Sequence, residues 1–409
     1  IARGLVKNAK EDVKIQRGSV VYVHKNGDYW EIINKPTVQA AFVSIRPEDG
    51  AIQSMVGGFS YGDDQFNRVT AAWRQPGSSF KPFIYASTLE RGMTPATQVS
   101  DEPFTLTAEQ TGSKPWAPKN YGNSYEPMLT MRQGLYKSKN MVSIRLMQAV
   151  GPKYVQDYIT RFGFDRARNP AVLPLALGAG AVTPLQLAGG YSVFANGGYR
   201  VLPYLIDHIT DSSGKVIMQA KPIVAGDAAA RVVDPRTVYV MDDMLRGVAT
   251  FGTGARVHRE LKRDDIGGKT GTTNDSHDAW FAGFTPKLVG VAWMGYDQPR
   301  SLGVRETGGG AALPIWLDYM RYALKGQPQI PPGPMPDGLE KINGDYYFSE
   351  FPPGQAVARV GLPTPDDANA APPADAINNL VNQLSSNSNN NGAGDNFNGT
   401  PAQTQRVQF

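Results

Sequence analysis

Three short stretches of this chain combine residue types suited to nucleophilic catalysis. The first is Ser78-Ser79-Phe80-Lys81. A serine hydroxyl is a weak nucleophile and needs a base beside it. Three residues make about one helical turn, so Lys81 lies beside Ser78 on a helix. An ammonium crowded by apolar side chains and a second cation gives up its proton more readily, and the free amine can take the serine proton. A helix start also favours the negative charge that builds on Ser78. The second stretch, Ser138-Lys139-Asn140, offers a hydroxyl and a carboxamide that can relay a proton and bind a peptide amide. The third is Lys269-Thr270-Gly271-Thr272-Thr273. Its lysine supplies positive charge, its threonine hydroxyls can bind a carboxylate, and Gly271 lets a substrate backbone approach the strand. Each stretch alone has an ordinary explanation: a serine cap before a solvated lysine, a polar loop, a β-rich strand. Their joint occurrence in this order is the informative observation.

The surrounding pattern says which elements must position them. Phe80, Phe83, Ile84 and Leu89 recur at helical spacing after Pro76-Gly77, with Pro82 in the first turn and Gly92 at the end. The spacing predicts helices over 128–136 and 141–150, which leaves Ser138 in the connection between them. Thr183-Pro184 opens another helix and Asn196-Gly197-Gly198 closes it. Residues 128–255 read mainly as helices. Strands are expected at 39–45 and 51–56, and again at 266–273, 278–284 and 288–296. The fold class is therefore α+β: an antiparallel sheet flanked by helices, with strands from both ends of the region, beside a mainly helical subdomain. Residues 37–327 form this main domain. Residues 1–36 read as part of a small β module, with Asn26-Gly27 as a hairpin turn in which both turn positions take positive φ. Residues 328–362 read as a proline-rich extension, in which Pro331-Pro332-Gly333-Pro334 is a linker and Tyr346-Tyr347-Phe348 docks locally. Residues 363–409, rich in Asn, Ala, Pro, Ser and Gln, are expected to be a disordered tail.

Composition narrows the function classes. The chain has 409 residues, 41% of them hydrophobic and 19% charged, and a net charge of +4, too small to predict nucleic-acid binding. It has no cysteine, which excludes a disulfide framework, a cysteine-ligated zinc site and a cysteine nucleophile, and fits an oxidising envelope compartment. No metal or cofactor is expected. The uncharged stretch 169–199 is interrupted by three prolines and four of its glycines, so it does not read as a membrane helix. The chain begins at Ile1 without a signal-peptide pattern. The expectation is a segment of a longer protein whose membrane anchor lies outside it.

Ser-x-x-Lys, a Ser/Asn element and Lys-Thr-Gly in this order are the signature of penicillin-recognising serine enzymes. The flanking residues sharpen the match. The run Phe66-Asn67-Arg68-Val69-Thr70, then Arg74-Gln75-Pro76-Gly77-Ser78-Ser79-Phe80-Lys81-Pro82, resembles the class A penicillin-binding proteins, closest to the 1A type. So do Phe194-Ala195-Asn196-Gly197-Gly198, Gly252-Thr253-Gly254, and Lys269-Thr270-Gly271-Thr272-Thr273-Asn274-Asp275 followed by Asp278-Ala279-Trp280-Phe281-Ala282-Gly283. The resemblance covers about 37–325, and residues 1–36 are similar to the end of an OB-like insertion. It implies the penicillin-binding/serine β-lactamase-like fold and a D,D-transpeptidase that cross-links peptidoglycan stem peptides on lipid II-derived strands. It implies covalent inhibition by β-lactams and a place on the periplasmic face of the inner membrane. By resemblance Ser78 is the nucleophile towards a D-Ala-D-Ala donor and Lys81 the general base. Ser138 shuttles a proton to the leaving D-alanine, Asn140 binds the donor amide, and Lys269 tunes Lys81 and Ser138. Thr272, with Thr273, binds the terminal carboxylate. Thr270 and Gly271 complete the motif. The backbone N–H groups of Ser78 and Thr272 form the oxyanion hole. The family's glycosyltransferase domain does not fit in 36 residues, so transpeptidation alone is expected here, from a bifunctional parent.

Other readings are weaker. A class A β-lactamase needs a glutamate to activate the deacylating water, and residues 151–200 contain none. A D,D-carboxypeptidase shares the acylation step and is separated only by the flanking motifs. A sensor that acylates without turnover keeps many of the same residues. Gly268-Lys269-Thr270 resembles the end of a P-loop, but the required glycine is replaced by Arg263. With four histidines, of which only His277 lies near a motif, a Ser-His-Asp site is not supported. Trp73, Tyr136 and Trp280 read as core or as cleft wall.

Overall fold

The structure, a computed structural model, describes residue 15 and residues 18–34, 36–112 and 114–361. The tail expected at 363–409 and about half of the module expected at 1–36 lie outside these residues.

Near-continuous apolar runs build the middle of the central sheet. Its strands are β1 (Gln39–Ile45), β2 (Ile52–Val56), β3 (Gly267–Thr272), β4 (Asp278–Thr285) and β5 (Leu288–Gly295). They pair in the order β2-β1-β5-β4-β3, antiparallel throughout. Successive side chains on a strand point to opposite faces. On β4, Trp280, Ala282 and Phe284 therefore join the main core, whereas Ala279 and Phe281 join a second core on the other face. Burial on both faces explains why β4 is apolar along nearly its whole length. The second core is completed by helix Leu313–Ala323, whose Trp316 Nε1 donates to Gly290 O at 3.0 Å.

Helix α1 (Lys81–Leu89) runs through the main core, and a 3-10 turn, Gly77–Phe80, feeds into it. The single helix expected from 78 onward is thus a tight turn followed by a helix. Phe83 anchors α1 among Phe164, Phe162 and Phe194, at ring separations of 4.7, 4.9 and 5.4 Å. Such aromatic pairs each add about 1 kcal/mol beyond area burial. Helix Pro184–Ala195 crosses the inner face of the sheet, opened by a capping box between Thr183 and Gln186.

Two sequence expectations are corrected. Residues 128–136 are not one helix: Met128–Thr130 is a strand paired with Gln98–Ser100, and α2 covers Met131–Tyr136. Thr130 and Gln133 form a capping box that starts α2 at that point. The N-terminal hairpin turns on Gly27-Asp28, because Asn26 is still paired with Tyr29, and only Gly27 takes positive φ. The segment after Pro334 packs back onto the domain. Leu339–Ile342 and Asp345–Phe348 form a hairpin, and Arg359–Val360 pairs in parallel with Gln98–Val99. Leu339, Tyr346, Phe348 and Val360 are buried in the main core. Arg132 reaches Asp345, and Arg236 reaches Glu350, from the helical side. Residues 339–360 therefore strap the helical subdomain.

Phe348→Ala should lower stability by about 3–5 kcal/mol, the range for a truncated core phenylalanine. Urea unfolding measures it. A loss within about 0.5 kcal/mol, as for a surface position, would show that the strap is not part of the core.

Candidate active site

The site forms where the Ser78 turn, the α2–α3 connection and edge strand β3 meet; α3 is Asn140–Val150. Lys81 N–H donates to Ser78 O, which sets the two residues one turn apart. Gly77 has φ +53, and a Cβ built there would lie 2.6 Å from Thr272 O and 3.2 Å from Thr272 N. Only glycine combines that backbone with so close an approach. The backbone beside Ser78 is thereby packed against the backbone of Thr272.

Ser138 sits just beyond the end of α2 with φ +56. This left-handed position at a helix end usually takes glycine or asparagine. A serine there accepts a strained backbone, and its hydroxyl is put to use. Lys269 Nζ donates to Ser138 Oγ at 2.8 Å, and Lys81 Nζ donates to Ser138 O at 2.6 Å and lies 3.5 Å from its Oγ. Lys81 Nζ also donates to Asn140 Oδ1 at 2.8 Å. The other end of that carboxamide, Nδ2, donates to Lys119 O at 2.6 Å. Two ammonium groups thus converge on one serine, and both lysines are fully buried.

Burial of charge is costly, and the groups respond by favouring the neutral form. Burial, reinforced by Lys269 and opposed by Asp101, holds Lys81 well below the usual lysine range. Burial brings Lys269 down to about 7. A neutral amine has two N–H groups and one lone pair. At Lys81, Ser138 O and Asn140 Oδ1 are short-range acceptors for the two N–H groups, which leaves the lone pair for a third partner.

The remaining motif residues behave differently from one another. Thr270 Oγ1 lies 2.7 Å from Thr253 Oγ1 and ties the 252–254 turn to β3. Thr272 Oγ1 accepts from Gly308 N at 3.0 Å, which leaves its own proton free to donate. Thr273 was expected to help bind a carboxylate. Its hydroxyl instead accepts from Asp278 N at 2.9 Å and donates to Asp278 Oδ2 at 3.3 Å, and so braces the β3–β4 loop. The close approach that demands glycine at 271 comes from the protein itself rather than from a substrate: a Cβ there would meet Pro76 O at 2.4 Å and Ser79 Cβ at 2.9 Å. Trp280 is buried and donates to Gln75 O just before the Ser78 turn. Trp73 is partly exposed against Arg168.

Sequence reasoning missed Asp101, Lys119, Asn120 and Gly308. The first three lie in irregular segments that carry no motif. Gly308 opens a run of three glycines, a signal of close packing that was available. Among the described residues no cluster of metal-ligating side chains is present, and no helix is long and apolar enough to cross a membrane.

The Penicillin binding protein transpeptidase domain family matches residues 40–320. Penicillin-binding protein 1A of Neisseria lactamica is 46% identical over 349 residues, which cover 85% of this chain and 44% of that protein. A crystal structure of penicillin-binding protein 1A from Haemophilus influenzae superposes with a TM-score of 0.77 at 34% identity, covering 84% of this chain and 57% of that one. The PonA1 protein of Mycobacterium tuberculosis in complex with penicillin V gives a TM-score of 0.63 at 25% identity, covering 78% and 85%. The chain spans about half the length of the curated relatives it matches. The matched region carries all three stretches of the site on a penicillin-binding/β-lactamase-like fold, and the chain belongs to the penicillin-binding protein transpeptidase domain family.

Proposed function

We propose that this chain is the D,D-transpeptidase part of a bifunctional peptidoglycan synthase, joining stem peptides through an acyl-enzyme on Ser78. One observation carries the reading: two fully buried lysines meet at Ser138, and one of them, Lys81, follows Ser78 by one turn. Lys81 as the free amine takes the Ser78 proton, and Ser78 Oγ attacks the penultimate D-alanine carbonyl of a D-Ala-D-Ala donor. The oxyanion is held by the N–H groups of Ser78 and Thr272. Ser138, polarised by Lys269, passes the proton taken up by Lys81 to the leaving D-alanine nitrogen, which restores the free amine and the Ser138 hydroxyl. The Lys269 charge and the Thr272 hydroxyl receive the donor carboxylate, and Asn140 orients Lys81 and the donor amide. An amine of a second strand then attacks the ester, the bond from the acyl carbon to Ser78 Oγ breaks, and the proton lost by the amine passes through Lys81 to Ser78 Oγ. β-Lactams enter by the same acylation.

Slow hydrolysis is supported by what packs on the Ser78 turn. Gly178 lies so close that a Cβ would meet Gly77 O at 2.1 Å, and residues 166–200 around it carry no carboxylate to activate water. The enzyme works on the periplasmic face of the inner membrane, and the greater length of the curated relatives supports its being one part of a larger synthase.

Three outcomes follow. Ser78→Ala should give no covalent adduct with penicillin by intact-protein mass spectrometry, whereas the unsubstituted chain gains one adduct on the peptide holding Ser78. An adduct that persists in the variant rejects the nucleophile. Ser138→Gly relieves the positive-φ strain and removes the hydroxyl. It should melt no lower than the unsubstituted chain, yet acylate about a hundredfold more slowly; unchanged acylation removes Ser138 from the proton path. The acylation rate should rise with pH through the lowered Lys81 value, because only the free amine accepts a proton. It should fall as Lys269 deprotonates around 7, because the charge on Ser138 is then lost. A rate still climbing into the ordinary lysine range would exclude a buried amine as base.

A further inference from the structure

Behind the site lies a polar assembly that no step above uses. Asp101 is fully buried, and its carboxylate is surrounded by donors. Oδ1 accepts from Asn120 Nδ2 at 2.7 Å. Oδ2 accepts from Glu126 N at 3.0 Å and pairs with Lys139 Nζ at 2.9 Å. Asn120, itself only 4% exposed, gives its second amide proton to Ser124 O at 2.9 Å. Its oxygen accepts from the backbone N–H of Asn140 at 2.7 Å and of Met141 at 3.3 Å. Those are first-turn N–H groups of α3, which have no partner within the helix. The residue in the cap position, Lys139, makes no capping bond with its side chain. The cap comes instead from Asn120, twenty residues upstream.

The consequence reaches the base. Asn120 is chain-bonded to Lys119, whose carbonyl accepts from Asn140 Nδ2. That bond decides which end of the Asn140 carboxamide faces Lys81. With Nδ2 held by Lys119 O, Oδ1 meets Lys81 Nζ and takes one of its protons. A carboxamide turned over would present its NH2 to the amine. It would then donate into the lone pair that must receive the Ser78 proton.

We propose that Asn120, held by Asp101, is a positioning residue for acylation: it caps α3 and fixes the Lys119 carbonyl, so that Asn140 accepts from Lys81 and leaves that amine's lone pair free. The inference rests on the acyl-transfer reading above. It assigns no contact with substrate to Asn120 or Asp101.

A double-substitution cycle read by the rate of labelling with fluorescent penicillin tests it. Asn120→Ala should slow acylation about ten- to a hundredfold, the scale of a misplaced reacting group. In an Asn140→Ala background the same substitution should change the rate less than about twofold, because the carboxamide through which it acts is gone. A merely structural role would give the same fold-loss in both backgrounds, and that result overturns the proposal, as does an unchanged rate in the single variant. Asn120→Asp keeps an oxygen over the two helix N–H groups while losing the donor to Asp101. It carries the same cycle, with the same expectation, if the alanine variant does not fold. An unsubstituted chain that never labels would overturn the acyl-transfer reading and this proposal with it.

Discussion

The structure depends on keeping two lysine ammonium groups out of water around a single serine. Lys81 and Lys269 are both fully buried, and among the described residues no carboxylate lies within ion-pair distance of either. Their compensation is partial: carbonyls of Ser138 and Thr270, the hydroxyl of Ser138 and the amide oxygen of Asn140. Taking an ammonium out of water costs several kcal/mol even after relaxation. That cost lowers the proton affinity of Lys81 and favours its free amine.

Such a site needs rigid surroundings. The Ser78 turn is clamped by Gly271 on β3 below it and by Gly178 beside it, both at distances that leave no room for a side chain. The helix that carries Lys81 is locked into an aromatic cluster around Phe83. Ser138 is held at positive φ by the bonds that close α2, Ser138 N to Leu135 O and Lys139 N to Gly134 O. The strap over 339–360 covers the helical half from outside and adds four side chains to its core. Backbone strain at 138 and charge burial at 81 and 269 persist because the packing around them over-determines the geometry.

Much of this was legible before any coordinates. The five strands of the sheet are legible to within a residue as β-rich runs bounded by turn residues, because strands buried on both faces stay apolar between polar turns. The helix opened by Thr183-Pro184 was placed by its cap. The errors have local causes. At 128–136 an apolar run looked continuous, but the Thr130–Gln133 capping box divides it into strand and helix. At 26–27 the Asn-Gly pair looked like the hairpin turn, but Asn26 still pairs with Tyr29, which moves the turn on by one residue.

What the sequence determined by itself is the chemical vocabulary: a serine with a lysine one turn away, a Ser/Asn pair, a lysine on a β-rich strand, and the family they resemble. Local spacing carries such information because a helical turn and a strand have fixed repeats. What only the tertiary structure decided is which groups share a space. It brought Lys269 to 2.8 Å from Ser138 across 131 residues. It committed Thr273 to Asp278, and it set Asp101 and Asn120 behind the start of α3. Those outcomes follow from packing and desolvation, which depend on segments far apart in the chain and leave no periodic trace along it.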